Sequence, residues 1–482
     1  MRGILQKLLY LIVYMDTLNS QPDSLKPELP PAILPPVTLA QATLYWLKLG
    51  CISFGGPAGQ IAIMHRDLVE QKRWLSEKRF LHALNYCMVL PGPEAQQLAV
   101  YIGWLMHRTW GGIIAGTLFV LPSFFLLLLL AWIYMAYGTL PAVAAVLYGI
   151  KPAVVALVGF ASYRIGSRIL KNPLLWTISI LAFSAIFIFH LPFPLIIFIA
   201  AVMGYLGGRY APKQFSAGSG HHSKHAQQGT ALIDDDTAIP AHAIFSWRKF
   251  AMILLIGISI WLVAMLILFM QYGWENTYTQ MGWFFTKAAL LTFGGAYAVL
   301  PYVYQGAVEN YQWLSATQMI DGLALGETTP GPLIIVITFV GFVGGWTHPV
   351  LGADAALISA LLAATIATFF TFLPSFIFIF MGAPFIETTR GNLKLTAPLT
   401  AITAAVVGVI ASLALFFAYH VFWPAGFIND STDWIAANLR TIDKFSAVLA
   451  ISAAFVLIRY KVGVISVILS CGTLGLAWKL LE

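Results

Sequence analysis

The feature of this sequence that most constrains its fold is a pair of glycine- and proline-rich interruptions that occurs twice inside hydrophobic segments. The first copy reads Phe54-Gly55-Gly56 and then Pro91-Gly92-Pro93; a shift of 239 residues finds Phe293-Gly294-Gly295 and then Pro330-Gly331-Pro332. Between Lys48 and Pro93, 13 of 46 positions carry the same residue in both copies. Matching interruptions in the two halves of a hydrophobic chain are typical of transporters and indicate the binding site.

The composition assigns the chain to the membrane proteins. Of its 482 residues, 59% are hydrophobic and only 10% are charged, which a soluble protein of this size does not accommodate. Apolar runs such as 250–271 and 354–381 are long enough to cross a bilayer. We therefore predict an all-α polytopic membrane protein. In this class the net charge of +7 reflects cationic cytoplasmic loops, and no nucleic-acid partner is expected.

The predicted domain organisation has four parts. Residues 1–38 form an interfacial N-terminal helix, or alternatively a signal peptide, followed by a Pro-rich linker. Residues 39–208 form the first repeat, 209–249 a polar cytoplasmic linker, and 250–482 the second repeat with one additional leading helix. The linker carries His221, His222, His225 and three aspartates from 234 to 236. These residues lack regular ligand spacing, so a plain linker is favoured over a metal site.

Loop charges orient the two repeats oppositely. The loop 65–79 carries five arginines and lysines, whereas its counterpart 304–318 carries none. Cytoplasmic loops are enriched in these cations, so the two loops are expected on opposite membrane faces. The chain is thus predicted to contain two inverted-topology repeats with interrupted or re-entrant helices.

Each interruption is expected to leave backbone N–H groups unpaired at the start of a half-helix, where the helix dipole favours an anion. The alternative is a kink that serves packing alone. Other polar side chains lie close to the interruptions, and Lys48 and Lys287 occupy matching positions six residues before each Phe-Gly-Gly. The lysines either neutralise a doubly charged anion or extend to the membrane interface.

Polar residues beside the proline motifs complete the candidate site. Gln96, Gln97 and Thr329 are expected to hydrogen-bond the oxygen atoms of a solute, or else to satisfy the local backbone. Glu94 and Glu327 are candidates for a coupling proton, or else for capping exposed N–H groups. Three cysteines without paired spacing support neither a disulfide framework nor a metal site, and no cofactor is expected.

The motifs resemble those of the chromate ion transporter family in its long, two-domain form. The resemblance rests on Ser53 to Gln60, Trp74-Leu75-Ser76-Glu77, Leu90 to Gln97, and the weaker second copy from Thr292 to Gly295 and Thr329 to Pro332. It covers nearly the whole chain apart from the N-terminal 38 residues and the linker. It implies a multi-pass bacterial inner-membrane exporter of chromate that confers chromate resistance, driven by the membrane potential or a proton gradient, with sulfate as a competing dianion.

Physical argument agrees with export, because expelling a dianion from a negative interior releases roughly 4–5 kcal/mol per 100 mV. A sulfate or general oxyanion permease on the same scaffold is the alternative, and a membrane scaffold or sensor is a more distant one. A homodimer is a further expectation. No zinc-protease or serine-hydrolase motif is present, so an enzyme is not predicted.

Overall fold

A computed structural model gives the architecture of the chain. It describes residues 36–54, 56–215, 231–234, 237, 240–293, 295–389, 396–427, 438 and 441–482. The predicted N-terminal helix, most of the Pro-rich stretch, Gly55, Gly294 and the three histidines of the linker lie outside the described residues. The described secondary structure is helical, apart from one isolated β-bridge between Leu75 and Ile233, which confirms the predicted all-α class.

The helices are numbered in chain order. The first half contains α1 (Leu39–Ile52), α2 (Gly56–His65), α3 (Glu77–Cys87), α4 (Glu94–Tyr137), α5 (Pro141–Ile169), α6 (Pro173–Phe187), α7 (Phe193–Tyr210) and the short α8 (Pro212–Phe215). The second half contains α9 (Trp247–Tyr272), α10 (Thr277–Leu291), α11 (Ala296–Tyr304), α12 (Ala316–Thr328), α13 (Val336–Thr347), α14 (Ala356–Thr389), α15 (Thr396–Phe422), α16 (Lys444–Tyr460) and α17 (Val464–Leu481).

Equivalent positions of the two halves share unusual backbone features. A π-helical turn follows α2 at Arg66–Gln71 and recurs after α11 at Gln305–Asn310. The repeated Trp-Leu-Ser motif has a local structural role, because Ser76 and Ser315 cap the N-termini of α3 and α12. The π-helical turn and the serine cap therefore recur 239 residues apart, although the two sequences are only weakly similar there.

The helices are interrupted at the four predicted places, between α1 and α2, α3 and α4, α10 and α11, and α12 and α13. A further break lies within α4. The apolar pattern predicts separate segments at 82–106 and 110–137, and His107 and Arg108 leave helical geometry between them. A Cβ on Gly103 would lie 2.4 Å from the carbonyl oxygen of Gly111, whereas residues eight positions apart in a continuous helix are separated by about 12 Å. The chain therefore folds back at this point, as the apolar pattern predicts.

The two halves pack into each other rather than side by side. Helix α5 of the first half packs against α15, α16 and α17 of the second, and α15 also packs against α6 and α7. Helix α4 packs against both α1 and α14. Among the described residues, seven helices are long and apolar enough to cross a membrane. Helix α9 buries only Gly257 and Met265, so its remaining surface is available to lipid.

Part of the linker between the halves packs onto the first half. The backbone N–H groups of Leu232 and Ile233 donate to the carbonyl oxygens of Arg73 and Trp74 at 2.9 and 3.1 Å. The buried guanidinium of Arg79 donates to the carbonyl of Asp234 and pairs with the buried carboxylate of Glu387. The predicted polar linker therefore contains a segment that is fixed against the loop 65–79.

Candidate functional site at the paired interruptions

The two Pro-Gly-Pro motifs are hydrogen-bonded to each other's repeat in a reciprocal manner. The N–H of Gly92 donates to the carbonyl of Thr292 at 2.7 Å, and the N–H of Gly331 donates to the carbonyl of Ser53 at 2.8 Å. Ser53 and Thr292 are themselves equivalent positions, each directly before a Phe-Gly-Gly motif. The proline motif of each half thus meets the glycine motif of the other half.

Both central glycines are required by their geometry. Gly92 has φ +128° and Gly331 has φ +100°, a region that residues with a Cβ rarely adopt. A Cβ on Gly92 would lie 2.5 Å from the hydroxyl oxygen of Ser375, and one on Gly331 would lie 2.4 Å from that of Ser123. Each serine belongs to a Leu-Pro-Ser-Phe motif in the opposite half. The closeness of backbone and serine leaves no space for a side chain at either glycine.

These bonds change which donors are available to a ligand. The sequence predicts free N–H groups at the interruptions, but those of Gly92 and Gly331 are used between the two halves. The first turn of α4 begins after Pro93, which provides no side-chain cap. The N–H groups of that turn have no intrahelical acceptor and lie beside the Gly92 motif.

Buried polar atoms without partners are concentrated around the first half's interruptions. Among the described residues, both amide atoms of Gln96 and the Oε1 atoms of Gln60 and Gln97 have no hydrogen-bond partner. The hydroxyls of Ser53 and Ser375 are likewise buried and unpaired within the described chain. Buried polar groups are nearly always satisfied in proteins, so this set indicates a place for water or a polar ligand.

The glutamines are held by neighbouring backbone. Gln97 Nε2 donates to the carbonyl of Pro91 at 2.7 Å. Gln60 Nε2 donates to the carbonyl of Ser53 at 3.2 Å and also to that of Gly331. Gln60 therefore joins the interruptions of both halves, while its second amide atom stays unpaired.

A small cavity of about 20 Å³ lies at the start of α2. Its lining includes Gly56, Arg164, Tyr297 and Glu327, and the Tyr297 hydroxyl donates to the Glu327 carboxylate. Arg164 provides positive charge beside a half-helix N-terminus, where the dipole also favours an anion. Glu327 is a residue that the sequence singled out, whereas Arg164 is not.

The remaining predicted residues occupy different environments. Lys48 is exposed on α1, whereas Lys287 is half-buried, 5.6 Å from the ring centroid of Trp283. Lys287 lines a separate cavity of about 660 Å³ with Gln305 and Asn310. The structure therefore places the two lysines outside the cluster of unpaired glutamines and serines. Phe54, Phe293, Pro91 and Glu94 are half-buried, and Gly295, Pro93, Thr329, Pro330 and Pro332 are buried.

Thr329 satisfies its hydroxyl within α12 by donating to the carbonyl of Gly326 at 2.8 Å. This matches the local alternative that the sequence left open for it. Gln96, in contrast, makes no local bond within the described residues. Ser53, Gln60, Ser375 and Arg164 are the site residues that the sequence did not single out. The Phe-Gly-Gly motif beside Ser53 and Gln60 and the repeated Leu-Pro-Ser-Phe motif containing Ser375 were the available signals.

The chain was compared with protein families and with individual proteins. The family model described as chromate transporter matches residues 40–205 and 279–476. A chromate transport protein of Cupriavidus metallidurans is 30% identical over 429 residues, covering 89% of this chain and 90% of the relative. A chromate transport protein of Pseudomonas aeruginosa is 31% identical over 454 residues, covering 92% and 93%.

A probable chromate transport protein of Synechococcus elongatus is 30% identical over 379 residues, covering 78% of this chain and 84% of the relative. No solved structure matched the chain. The two matched segments each contain one set of interruptions, including the glycines that bond across the halves. The chain therefore belongs to the chromate transporter family.

Proposed function

We propose that this protein exports chromate by alternating access around the paired interruptions, and thereby confers chromate resistance. The family match over both halves carries the proposal, because relatives that align with nearly the whole chain are chromate transport proteins. We propose that it acts as a carrier and not as an enzyme.

The protein is a multi-pass membrane protein of the bacterial inner membrane, consistent with its family and its seven spanning-length helices. In that membrane the interior is negative, so outward movement of a dianion is favourable by roughly 4–5 kcal/mol per 100 mV. This driving force supports the outward direction without requiring a second solute.

The proposed binding site is the set of unpaired polar side chains at the paired interruptions, most of which belong to the first repeat. The amide of Gln96 and the hydroxyls of Ser53 and Ser375 supply hydrogen-bond donors for oxyanion oxygens. The N–H groups at the start of α4 add the positive end of a helix dipole. Arg164 supplies a full positive charge from the neighbouring cavity. The small volume of that cavity fits a closed conformation, which must open before the anion is bound.

The other predicted residues keep proposed roles. Backbone of the Phe-Gly-Gly and Pro-Gly-Pro motifs positions the donors, and Gln97 holds the turn through Pro91. Lys287 attracts the anion from its own cavity, and Lys48 contributes positive potential from the exposed surface. Glu94 and Glu327, near the half-helix starts, are candidates for coupling because an anion and an ionised carboxylate repel each other.

A sulfate or general oxyanion permease is the second candidate. The unpaired donors are neutral amides and hydroxyls, which recognise oxygen atoms and do not distinguish one tetrahedral dianion from another. Sulfate competition and a homodimeric assembly are further parts of the proposal, tested by isotope competition and by the mass of the solubilised particle.

The test is flux of radiolabelled chromate in proteoliposomes with an imposed potential. We expect potential-driven chromate movement that depends on the sign of the potential. Excess unlabelled sulfate measures selectivity. Labelled sulfate flux without chromate flux would move the assignment to a general oxyanion permease, and no flux of either would leave a scaffold or sensor.

A further inference from the structure

A buried ion pair outside the candidate site connects the two repeats. Asp321 of α12 is 2% exposed, and its Oδ2 atom lies 3.7 Å from Nζ of Lys151 on α5. The hydroxyl of Tyr134, near the end of α4, donates to the same oxygen at 3.0 Å. The other oxygen, Oδ1, is buried and has no hydrogen-bond partner in the described part of the chain. The carboxylate is thus only half satisfied.

The pair spans the boundary that must change if the repeats move. Lys151 and Tyr134 belong to the first repeat, whereas Asp321 lies on α12 of the second repeat. At the position equivalent to Asp321, the first repeat has His82, whose ring faces the carbonyl of Ile386 on α14 at 3.3 Å. The contact between repeats at this position therefore contains an ion pair at Asp321 and only a hydrogen bond to the backbone at His82.

A second buried ion pair, between Glu387 and Arg79, differs from the Asp321–Lys151 pair in its hydrogen bonding. Glu387 accepts a bond from Arg79 at one oxygen and from the Tyr101 hydroxyl at the other. Both of its oxygens are paired, and a bidentate set of donors stabilises the ionised form. Asp321 has a single, longer contact to a lysine that is 25% exposed. Of the two, Asp321 is the carboxylate that is suited to change its charge.

We propose that Asp321 binds the coupling proton of the transport cycle and that Lys151 is its counter-charge. Proton uptake at Asp321 removes its negative charge, so the attraction to Lys151 is lost and the contact between α12 and α5 weakens. Loss of the proton restores the pair. The proposal rests on the proposed transport function and adds a residue that the sequence reading did not single out.

The surroundings of Asp321 support this assignment. Lys151 and Tyr134 are its charged and titratable contacts from α5 and α4, and Val336–Thr347 contains no titratable residue. On its own helix, Glu327 is bonded to Tyr297. The titratable residues of α15 make other contacts: His420 with the Phe416 carbonyl and Tyr419 with the ring of Trp423. On α17, Lys479 pairs with Glu482, and the backbone of Cys471 contacts α5.

The first test measures proton binding directly and needs no substrate. Infrared difference spectra of the full-length protein in liposomes, recorded across pH, report protonated carboxyl groups. We expect the titrating carboxylic-acid absorption to contain one component that is missing in Asp321→Asn and stays in Glu387→Gln. Lys151→Met should move its midpoint to higher pH, because the positive neighbour is gone, and Lys151→Arg should leave it near the wild-type value. Identical titrating bands in wild type and Asp321→Asn would overturn the proposal.

The second test links the proton to transport. Chromate flux at fixed potential is measured with and without a pH gradient. We expect Asp321→Asn to lose the response to the gradient while keeping potential-driven flux, and Glu387→Gln to keep the response. Loss of the response in Glu94→Gln or Glu327→Gln, with Asp321→Asn unaffected, would assign the coupling proton to the candidate site and overturn the proposal. If wild type moves no chromate, the proposed function fails while the infrared result still decides whether Asp321 binds a proton.

Discussion

The two proline motifs have nearly the same backbone but different surroundings. Gly92 and Gly331 share positive φ and reciprocal bonds to the opposite repeat. Unpaired buried atoms of Gln97 and Ser375 lie beside Gly92, and those of Ser53 and Gln60 lie beside Gly331. In the second half, the positions equivalent to the three glutamines carry Val299, Ile335 and Val336.

The hydroxyls show the same difference. Thr292 donates to the carbonyl of Ala288 at 2.7 Å, and Ser123 donates to that of Val120 at 2.8 Å. Their counterparts Ser53 and Ser375 have no partner within the described residues. The unpaired polar side chains therefore come chiefly from the first repeat, and their counterparts in the second repeat are apolar or already hydrogen-bonded. The two repeats share a backbone frame, but most of the groups available for recognition belong to one of them.

The largest effect is expected where the two sides are alike. Gly92→Ala and Gly331→Ala should each abolish chromate flux, because the new Cβ would collide with Ser375 or Ser123 and the backbone has positive φ. Proteoliposome flux measures this. Gly159→Ala is the control, since a Cβ there meets nothing within 4 Å. Wild-type flux in a folded Gly92→Ala protein would remove the reciprocal contact from the mechanism.

The next largest effect should distinguish the first repeat from the second. Gln96→Leu should weaken chromate binding about 10- to 100-fold, the typical value of one hydrogen bond to a charged group. Its thermal stability should stay equal or rise, because a buried unpaired amide is removed. Substrate affinity and melting temperature are measured together. Ile335→Gln, which places a glutamine at the equivalent position of the second repeat, should not improve chromate affinity. An improvement would mean that the two repeats contribute equally to binding.

Substitution of Arg164 tests whether this side chain provides positive charge to the anion from the cavity at the start of α2. Arg164→Met should lower flux at limiting chromate about tenfold, as expected for loss of one partly buried charge on a dianion. Arg168→Met is the matched control, because Arg168 lies one turn later on the same helix and is exposed. Equal losses in both variants would indicate a general effect of surface charge.

The serines provide a smaller contrast. Ser375→Ala should reduce affinity roughly threefold to tenfold, because it removes an unpaired donor of the proposed site. Ser123→Ala should change affinity by less than about twofold, since its hydroxyl already bonds within α4. Chromate affinities of the two variants are compared under identical conditions. A greater loss from Ser123→Ala would place the ligand on the Gly331 side.

The smallest effects are expected for the symmetric lysines. Lys287→Met should reduce flux about threefold at low ionic strength, because Lys287 lines an open cavity, and Lys48→Met should have a smaller effect from the exposed surface. Both effects should fade as salt is raised. Flux at two salt concentrations tests this. Salt-independent losses of more than about tenfold would mean that a lysine contacts the anion directly.

Local chemistry explains what the sequence predicted well. Two prolines around a glycine remove backbone donors and permit positive φ, so Pro91-Gly92-Pro93 and its copy predicted two of the interruptions directly, whereas a single proline such as Pro152 stays inside a helix. Hydrophobic length predicted the membrane class. The break at His107 and Arg108 has no such residue, and it was predicted because polar and charged residues separate two apolar runs there.

Contacts between distant helices explain the rest. The use of the Gly92 N–H by Thr292 depends on how the halves interlock, which no local pattern encodes. The same holds for Arg164, which shares a cavity with Tyr297 and Glu327 of the other half, and for Lys151 with Asp321, which are 170 residues apart. Charged residues in apolar segments are visible in the sequence, but their partners are set by packing.

The reciprocal glycine bonds have a consequence for how such a chain can exist. Each repeat completes its own interruption with a carbonyl that the other repeat provides. Joining the two repeats in one chain supplies them in a one-to-one ratio during biosynthesis. It also lets the halves differ, because a substitution in one is not imposed on the other as it would be in a symmetric pair of identical chains. The glutamines that only the first half carries are a difference that such a symmetric pair cannot have.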